Sequence, residues 1–346
     1  MRQYKIAVDE NILIKDEICA AGSKMLYNFK SPYSATVVDK IKAAGMTISC
    51  RSKTGEFGND TEKDETQTAA YSVNAGLVDV ALGIDVDGVA YKSAVKNNII
   101  YIKPTYGTVS RFGVVANVSS VDQIGVYAKN FDDGFAVLSA IAGHDKNDGT
   151  TYPAEKYEYN AYKDKTDLKS LKTLELNLSD FKYADYLAQV YYIISAAEFS
   201  NNISRFDGLK FGYRSENFKS YDDIIINSRS ETFTAETKIK ALIGTYVLSE
   251  DQFEKYYFKA MQVRRLIKQE LDEIFRQFDL VILPVSADAQ CAPLQNNAYY
   301  ENLQYSALAN LTGCPAIIVN GMQIIAKEFD ENKLFAFGKG VMENAV

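Results

Sequence analysis

The sequence has little of the chemistry that most metal centres and histidine-dependent hydrolases use. It contains one histidine and four cysteines in 346 residues, and no two cysteines stand in a C-x-x-C spacing. This composition argues against a zinc site, and we expect neither a metal nor a cofactor. A Ser/His or Cys/His catalytic pair would have to use His144. Because His144 follows a predicted helix end at Gly143, we favour a role in capping the last helical carbonyls.

The chain also lacks an excess of positive charge and a long apolar segment. Its 38 Lys and Arg residues are outnumbered by 45 Asp and Glu residues, which gives a formal net charge of −7. Phosphate binding needs Lys and Arg gathered on one face, so we expect no direct contact with nucleic acid. No apolar run reaches about 18 residues, and the first residues mix both charges, which predicts neither a membrane span nor a signal peptide. We therefore expect a cytoplasmic location.

What the sequence does have is a hydrophobic pattern that alternates between helix and strand periods. Residues 33–45 place Val37, Val38 and Ile41 on one helical stripe, and a short apolar strand follows at residues 46–50. Strands separated by helices along the whole chain predict an α/β fold, with one mixed sheet covered by helices on both faces. We expect a single domain spanning residues 1–346. Further strands are predicted at 98–103, 171–176, 280–285, 316–320 and 322–326, helices at 130–143, about 183–205 and about 250–277, and an extended loop at 144–167.

One turn in this pattern has the shape of a catalytic turn without a catalytic residue. The stretch LGIDVDGVAYKSAV, residues 82–95, runs from a small-residue strand into a Gly-containing loop. The loop holds Asp85 and Asp87, and the first serine or threonine after it is Ser93. The turn therefore raises the question of which reaction it once served.

Eight segments, which fall in the same order over nearly the whole chain, resemble the amidase signature family. Within that family the resemblance is strongest to the A subunits of bacterial glutamyl-tRNA(Gln)/aspartyl-tRNA(Asn) amidotransferases. The resemblance implies that the chain begins close to the first core strand, without the family's N-terminal helices, and is shortened near 58–64 and 287–322. The segments are NILIKDEICAAG, SPYSATVVDKIKAAG, KPTYGTVSRFGVV, SSVDQIGVYAKN, SAIAGHDKNDGTTY, SRFDGLKFGYRSEN, GTYVLSEDQFEKYYFKAMQVRRLIKQ and GCPAIIVN.

The family's chemistry is a relay in which a neutral lysine activates a serine nucleophile through a second, bridging serine. Backbone N–H groups of the nucleophile turn stabilise the oxyanion. The resemblance places the base at Lys15 and, in an ungapped match, the nucleophile at Val89. The family's spacing of 24 residues, 89 minus 65, places the bridging serine at Glu65. The former oxyanion turn comprises Val86, Asp87 and Gly88.

These replacements predict that the ancestral amidase mechanism is lost, because valine has no nucleophilic atom. Ser93, Ser72, Thr66 or Thr68 could supply a relocated nucleophile, although hydroxyls at such positions are usually satisfied within a helix or loop. A pair of carboxylates, Glu65 with Asp85 or Asp87, is a further alternative. We prefer the interpretation that these acids are counter-ions of a buried, protonated Lys15 in the former catalytic cavity.

Four residues define a candidate ligand pocket, and for these a purely structural role is an equal alternative. They are Asp85, Arg205, Tyr213 and Arg214. The family's later substrate segment has become LPVSADAQ, residues 283–290. We predict a catalytically degenerate protein that keeps the scaffold to bind a small amide or amino-acid ligand or a partner. One alternative is an A-like subunit of a glutamyl-tRNA(Gln) amidotransferase, which hydrolyses the glutamine amide to supply ammonia or positions B- and C-like subunits. The other is an amidase with a relocated nucleophile.

Overall fold

The structure is a computed structural model, which describes residues 3–59, 64–153, 166–285 and 297–343, with the side chains of 297–302 excluded. Nine strands in these ranges form one sheet with the spatial order β2-β1-β3-β5-β4-β8-β9-β7-β6. The predicted mixed sheet is confirmed, because parallel and antiparallel pairs both occur. The strands are β1 (Lys5–Asp9), β2 (Thr47–Ser52), β3 (Val80–Ile84), β4 (Ile100–Lys103), β5 (Ile124–Ala128), β6 (Thr173–Glu175), β7 (Leu280–Pro284), β8 (Ala316–Val319) and β9 (Met322–Ala326).

Helices cover both faces of this sheet. Alternation along β1 shows why: Ile6 and Val8 are fully buried in one apolar cluster, whereas Ala7 between them is fully buried in another. Side chains of a strand point alternately to opposite faces, so both faces must be covered. The helices are α1 (Thr36–Ala43), α2 (Ala69–Asn74), α3 (Val89–Lys96), α4 (Phe131–Ile141), α5 (Ala184–Ile203), α6 (Tyr221–Thr232), α7 (Ala235–Val247), α8 (Glu250–Phe253), α9 (Lys259–Ile274), α10 (Asn297–Thr312) and α11 (Glu331–Glu343).

The predicted helix starts and stripes appear where the local sequence signals them. The helix α4 begins after Asn130, whose side chain accepts the N–H of Asp133 at 2.9 Å. At its other end the prediction about His144 is wrong, since the last carbonyls are bound by the ammonium of Lys40, which lies 2.9 Å from the oxygen of Ala142. His144 instead contacts the hydroxyl of Thr151 through Nδ1, at 3.1 Å.

The long amphipathic helix predicted near 250–277 is present, but it is interrupted. It consists of α8, a π-helical turn at Glu254–Phe258 and α9. The predicted loop at 144–167 lies partly outside the described residues. The end of the segment LPVSADAQ and Cys291 lie entirely outside them. The other three cysteines, Cys19, Cys50 and Cys314, are free thiols.

Candidate functional site

The candidate site lies where β1 and β3 end side by side. These strands are parallel, with Val8 opposite Leu82, which brings Asp9 level with Gly83. A side chain at Gly83 would collide with the carboxylate of Asp9, since a Cβ there would lie 2.8 Å from Oδ2. Asp9 is buried and accepts a 2.6 Å hydrogen bond from the hydroxyl of Ser52 on β2. The absence of a side chain at Gly83 thus makes room for a buried carboxylate at the sheet edge.

The turn that follows β3 keeps the geometry of a strand-to-helix elbow. Asp87 and Gly88 both have left-handed backbones, with φ of 57° and 76°, and α3 begins at Val89. Left-handed backbone is uncommon outside glycine, and aspartate is one of the residues that tolerate it. A Cβ at Gly88 would lie 2.5 Å from the Ser306 side chain, so the turn also packs closely against α10.

The backbone N–H groups of this elbow are largely occupied by the protein itself. Asp87 N–H donates to the hydroxyl oxygen of Tyr191 at 3.0 Å, and Ala90 N–H donates to Oδ1 of Asp85, also at 3.0 Å. Val89 N–H donates to the carbonyl of Val86 at 3.1 Å. An oxyanion hole needs donors that are aimed at an incoming oxygen. These three N–H groups already bind acceptors within the protein and are not aimed at a substrate oxygen.

The side chain of Val89 faces a small space, which we call the turn cavity. It has a volume of about 30 Å³, and its walls include Asp9, Thr68, Val89, Ser93 and Tyr127. Such a volume corresponds to about one water molecule. The turn cavity is therefore far smaller than the pockets of about 300–1,000 Å³ that hold small-molecule ligands.

A buried ion pair closes the other side of the elbow. Lys240 of α7 lies with its ammonium 3.7 Å from Oδ2 of Asp87, and each side chain is only 8% exposed. The same ammonium donates to Oδ1 of Asn59 at 2.8 Å and lies 5.0 Å from the ring centroid of Phe199. Burial lowers the pKa of Lys240, while Asp87 acts in the opposite direction.

A second buried lysine and a buried acid lie beneath the elbow. Asp85 accepts hydrogen bonds from Ala90 N–H and from the amide of Asn310, at 3.0 and 2.7 Å. Burial nevertheless raises the pKa of Asp85 to about 6. Lys103, at the end of β4, donates to the carbonyl of Cys314 at 2.7 Å, and burial lowers its pKa to about 8.

Comparison with known proteins settles the family. The family model for Amidase matches residues 5–67, 69–172 and 162–335. The chain is 35% identical to the A subunit of the glutamyl-tRNA(Gln) amidotransferase of Enterococcus faecalis, over 95% of this chain and 80% of that protein. The chain belongs to the amidase family.

Solved structures of amidase-family proteins agree with this assignment. The A subunit of the glutamyl-tRNA(Gln) amidotransferase of Thermotoga maritima is 26% identical, with a TM-score of 0.73 over 98% of this chain and 83% of that one. Peptide amidase from Stenotrophomonas maltophilia, at 20% identity, shares the fold with a TM-score of 0.75 over 99% and 82% of the two chains.

The predicted ion pair between a buried Lys15 and Glu65, Asp85 or Asp87 is wrong. Lys15 is exposed, and its backbone N–H donates to the hydroxyl of Ser34. The reason is local: β1 ends at Asp9, and the chain then runs along the loop at Gly113, whose carbonyl binds Leu13 N–H at 2.8 Å. The lysine that does pair with Asp87 is Lys240, and the charged residues that line the turn cavity with Val89 are Asp9 and Lys53.

Glu65 and the candidate hydroxyls also lie apart from one another. Glu65 is exposed and pairs with Lys96 at 3.6 Å, outside the turn cavity. Thr66 donates to Asp64, and Ser72 donates to the carbonyl of Thr68. Thr68 caps α2 by accepting Tyr71 N–H at 3.3 Å. Ser93, which is buried, and Thr68 are the two of these hydroxyl residues that line the turn cavity.

The predicted pocket residues are used in local hydrogen bonds. Arg205 donates to the carbonyl of Asn202 at 2.7 Å, and Arg214 donates to the carbonyl of Gly208 at 2.9 Å. Tyr213 donates to Glu231 at 2.6 Å. None of the four residues, Asp85 included, lines the turn cavity.

Sequence reasoning missed Asp9 and Lys240. A signal for Asp9 was present, because an acid directly after the apolar run IAV marks a strand end. For Lys240 no local signal exists, since it lies 153 residues beyond Asp87 (240 minus 87) on an ordinary amphipathic helix. Among the described residues, no cluster of three or more His, Cys, Asp or Glu could hold a metal ion. None of the described helices is long and apolar enough to cross a lipid bilayer.

Proposed function

We propose that this chain is an amidase-family protein without amidase activity, which keeps the family scaffold to bind a small ligand or a partner protein. The observation that carries the proposal is Val89 at the start of α3, facing a space of about 30 Å³ with Asp9 in its wall. Valine cannot attack a carbonyl carbon, and the space does not admit an amide substrate. Removing single members of a catalytic triad costs up to about 10⁶ in turnover.

The occupied elbow supports the same proposal. The N–H groups of Asp87, Val89 and Ala90 already bind acceptors within the protein. Lys15, the lysine of the predicted relay, is exposed and does not line the turn cavity. The lysine in the cavity wall is Lys53, and its ammonium pairs with Glu10 at 2.9 Å.

A second candidate function follows from the likeness to the A subunits of amidotransferases. In that role the chain would serve as an A-like subunit that binds B- and C-like partners and positions them without releasing ammonia. Partner binding needs the outer surface of the scaffold and not the elbow. The 35% identity over 95% of the chain favours this role over a scaffold with no assembly partner.

The test is glutamine hydrolysis by the purified chain, alone and with B and C subunits. The Enterococcus faecalis relative is the active reference. We expect no ammonia release from this chain and no labelling by a fluorophosphonate probe. Stoichiometric labelling of Ser93 would overturn the proposal in favour of a relocated nucleophile. Co-purification with B and C subunits, without ammonia release, would establish the A-like role.

A further inference from the structure

A second, larger cavity lies beside α5, away from the elbow. It has a volume of about 540 Å³, and we call it the α5 cavity. Loop residues after β4, the outer face of α5 and the π-helical turn before α9 build its walls. The lining includes Tyr106, Arg111, Ser120, Glu198, Asn201 and Tyr257. This volume falls in the range of cavities that hold small molecules.

One wall of the α5 cavity is fixed in place by hydrogen bonds. Ser120 N–H donates to Oε2 of Glu198 at 2.8 Å, and its hydroxyl accepts from Arg264 at 2.8 Å. The hydroxyl of Tyr106 donates to the carbonyl of Ser119, also at 2.8 Å. A wall held in this way loses little freedom when a ligand binds, which favours affinity.

The charges around the α5 cavity balance one another. Arg111 lies 3.7 Å from the carboxylate of Asp148, and its guanidinium donates to Thr150. Glu198 and Arg264 both bind Ser120. Burial lowers the pKa of the Arg264 guanidinium, and the charge of Glu198 acts in the opposite direction. The two guanidinium groups and the two carboxylates offset one another, so an entering ion meets no net opposite charge.

Some polar groups of the cavity remain available. Within the described part of the chain, Oε1 of Glu198, the hydroxyl of Tyr257 and the side-chain amide of Asn201 make no hydrogen bond with the protein. Glu198 can only accept, whereas Tyr257 and Asn201 can donate. Burial and the neighbouring Glu198 raise the pKa of Tyr257, so its hydroxyl keeps its proton at neutral pH. The ring of Tyr106 and the side chain of Leu248 add apolar surface.

We propose that the α5 cavity binds a small neutral molecule whose apolar body carries an N–H donor next to a carbonyl acceptor. The donor binds Oε1 of Glu198, and the acceptor binds the hydroxyl of Tyr257. The inference rests on the proposed function only in that the ligand is bound and not hydrolysed.

The test uses three probes of the same size, namely benzamide, benzylammonium and benzoate, with binding to the full-length chain followed by ligand-observed NMR. We expect benzamide to bind with a dissociation constant of about 1 mM or lower. Both ions should bind at least about tenfold more weakly, because neither finds an unmatched charge. Equal binding of the ions, or no binding of benzamide at about 10 mM, would overturn the proposal.

Two variants identify the groups that act. Glu198→Gln removes the counter-charge of Arg264, so benzamide binding should fall about tenfold and benzoate should become the preferred probe. Tyr257→Phe removes only a hydroxyl, and benzamide binding should fall several-fold with the order of the probes unchanged. The milder Tyr257→Phe keeps the test valid if Glu198→Gln fails to fold. Unchanged benzamide binding in a folded variant contradicts the assignment.

Ser93→Ala is the matched control, because Ser93 lines the turn cavity and not the α5 cavity. It should leave benzamide binding unchanged, and a loss would contradict the assignment of the probe to the α5 cavity. Conversion of benzamide into benzoate and ammonia would contradict the proposed function and leave the site intact. Failure to bind without any hydrolysis would contradict the site alone.

Discussion

The turn cavity and the α5 cavity are lined by different parts of the sequence, and they differ nearly twentyfold in volume, at about 30 and 540 Å³. The turn cavity is lined by Asp9 and by Val89, the position to which the resemblance assigns the nucleophile. The α5 cavity is lined by segments on which the family resemblance rests: KPTYGTVSRFGVV carries Tyr106 and Arg111, and GTYVLSEDQFEKYY carries Leu248 and Tyr257. The difference teaches that loss of a nucleophile need not remove the binding capacity of the scaffold around it.

The elbow above the turn cavity should depend strongly on its ion pair. Lys240→Met leaves Asp87 buried without this counter-ion, and breaking a buried pair from one side costs about 3–5 kcal/mol of the free energy of unfolding. Urea denaturation at neutral pH measures the loss. Adding Asp87→Asn should recover part of it, because the double variant has no buried charge at either position and asparagine tolerates the left-handed backbone. A double variant that is less stable than Lys240→Met would contradict this account.

Lys15→Ala is the control for this experiment. Lys15 is exposed, so its replacement should change the free energy of unfolding by no more than about 0.5 kcal/mol. A loss as large as that of Lys240→Met would mean that Lys15, and not Lys240, neutralises the elbow.

These two lysines show what local sequence can and cannot predict. The prediction that a buried lysine pairs with an acid of the elbow is confirmed, but it named Lys15 where the structure has Lys240. The resemblance selected Lys15 because it stands in an I-K-D segment, whereas the partner of Asp87 comes from α7, far along the chain. Strands and helices such as β4 and α4 were predictable because their period and caps are local. Which helix packs against the elbow is a tertiary property, and no short window of sequence contains it.

The change of protein stability with pH should reveal the ionisation of Asp85. Its pKa is raised from an ordinary value of 3.8 to about 6, so its contribution to stability is present in full below pH 3.8 and is lost as the pH rises through 6. Asp85→Asn cannot ionise and escapes this loss. Its amide can donate to Oδ1 of Asn310, which is buried without a partner in the described residues, after that side chain flips.

Between pH 4.5 and 7.5, the free energy of unfolding of Asp85→Asn should therefore improve by about 2 kcal/mol relative to the parent chain. Urea denaturation of both proteins across this range measures the change. A constant difference between them would show that Asp85 titrates at the same pH in the folded and unfolded chains.

Apart from the Lys15→Ala control, the smallest change in the free energy of unfolding is expected from Val89→Ser, which places a serine at the predicted nucleophile position. Val89 is half-buried, so Val89→Ser should change the free energy of unfolding by only about 1 kcal/mol. It should not produce glutamine hydrolysis, because about 30 Å³ leaves no room for an amide substrate and the Lys53 ammonium in the cavity wall is paired with Glu10 at 2.9 Å. The N–H groups of Asp87 and Ala90 would also have to leave their present acceptors before they could bind an oxyanion. Ammonia release by Val89→Ser, measured beside the Enterococcus faecalis relative, within about 10³-fold of that reference would require the elbow to rearrange around substrate. In that case the turn cavity would be a closed conformation of a working site. Its small volume relative to the α5 cavity would then reflect this conformation and not the loss of a catalytic site.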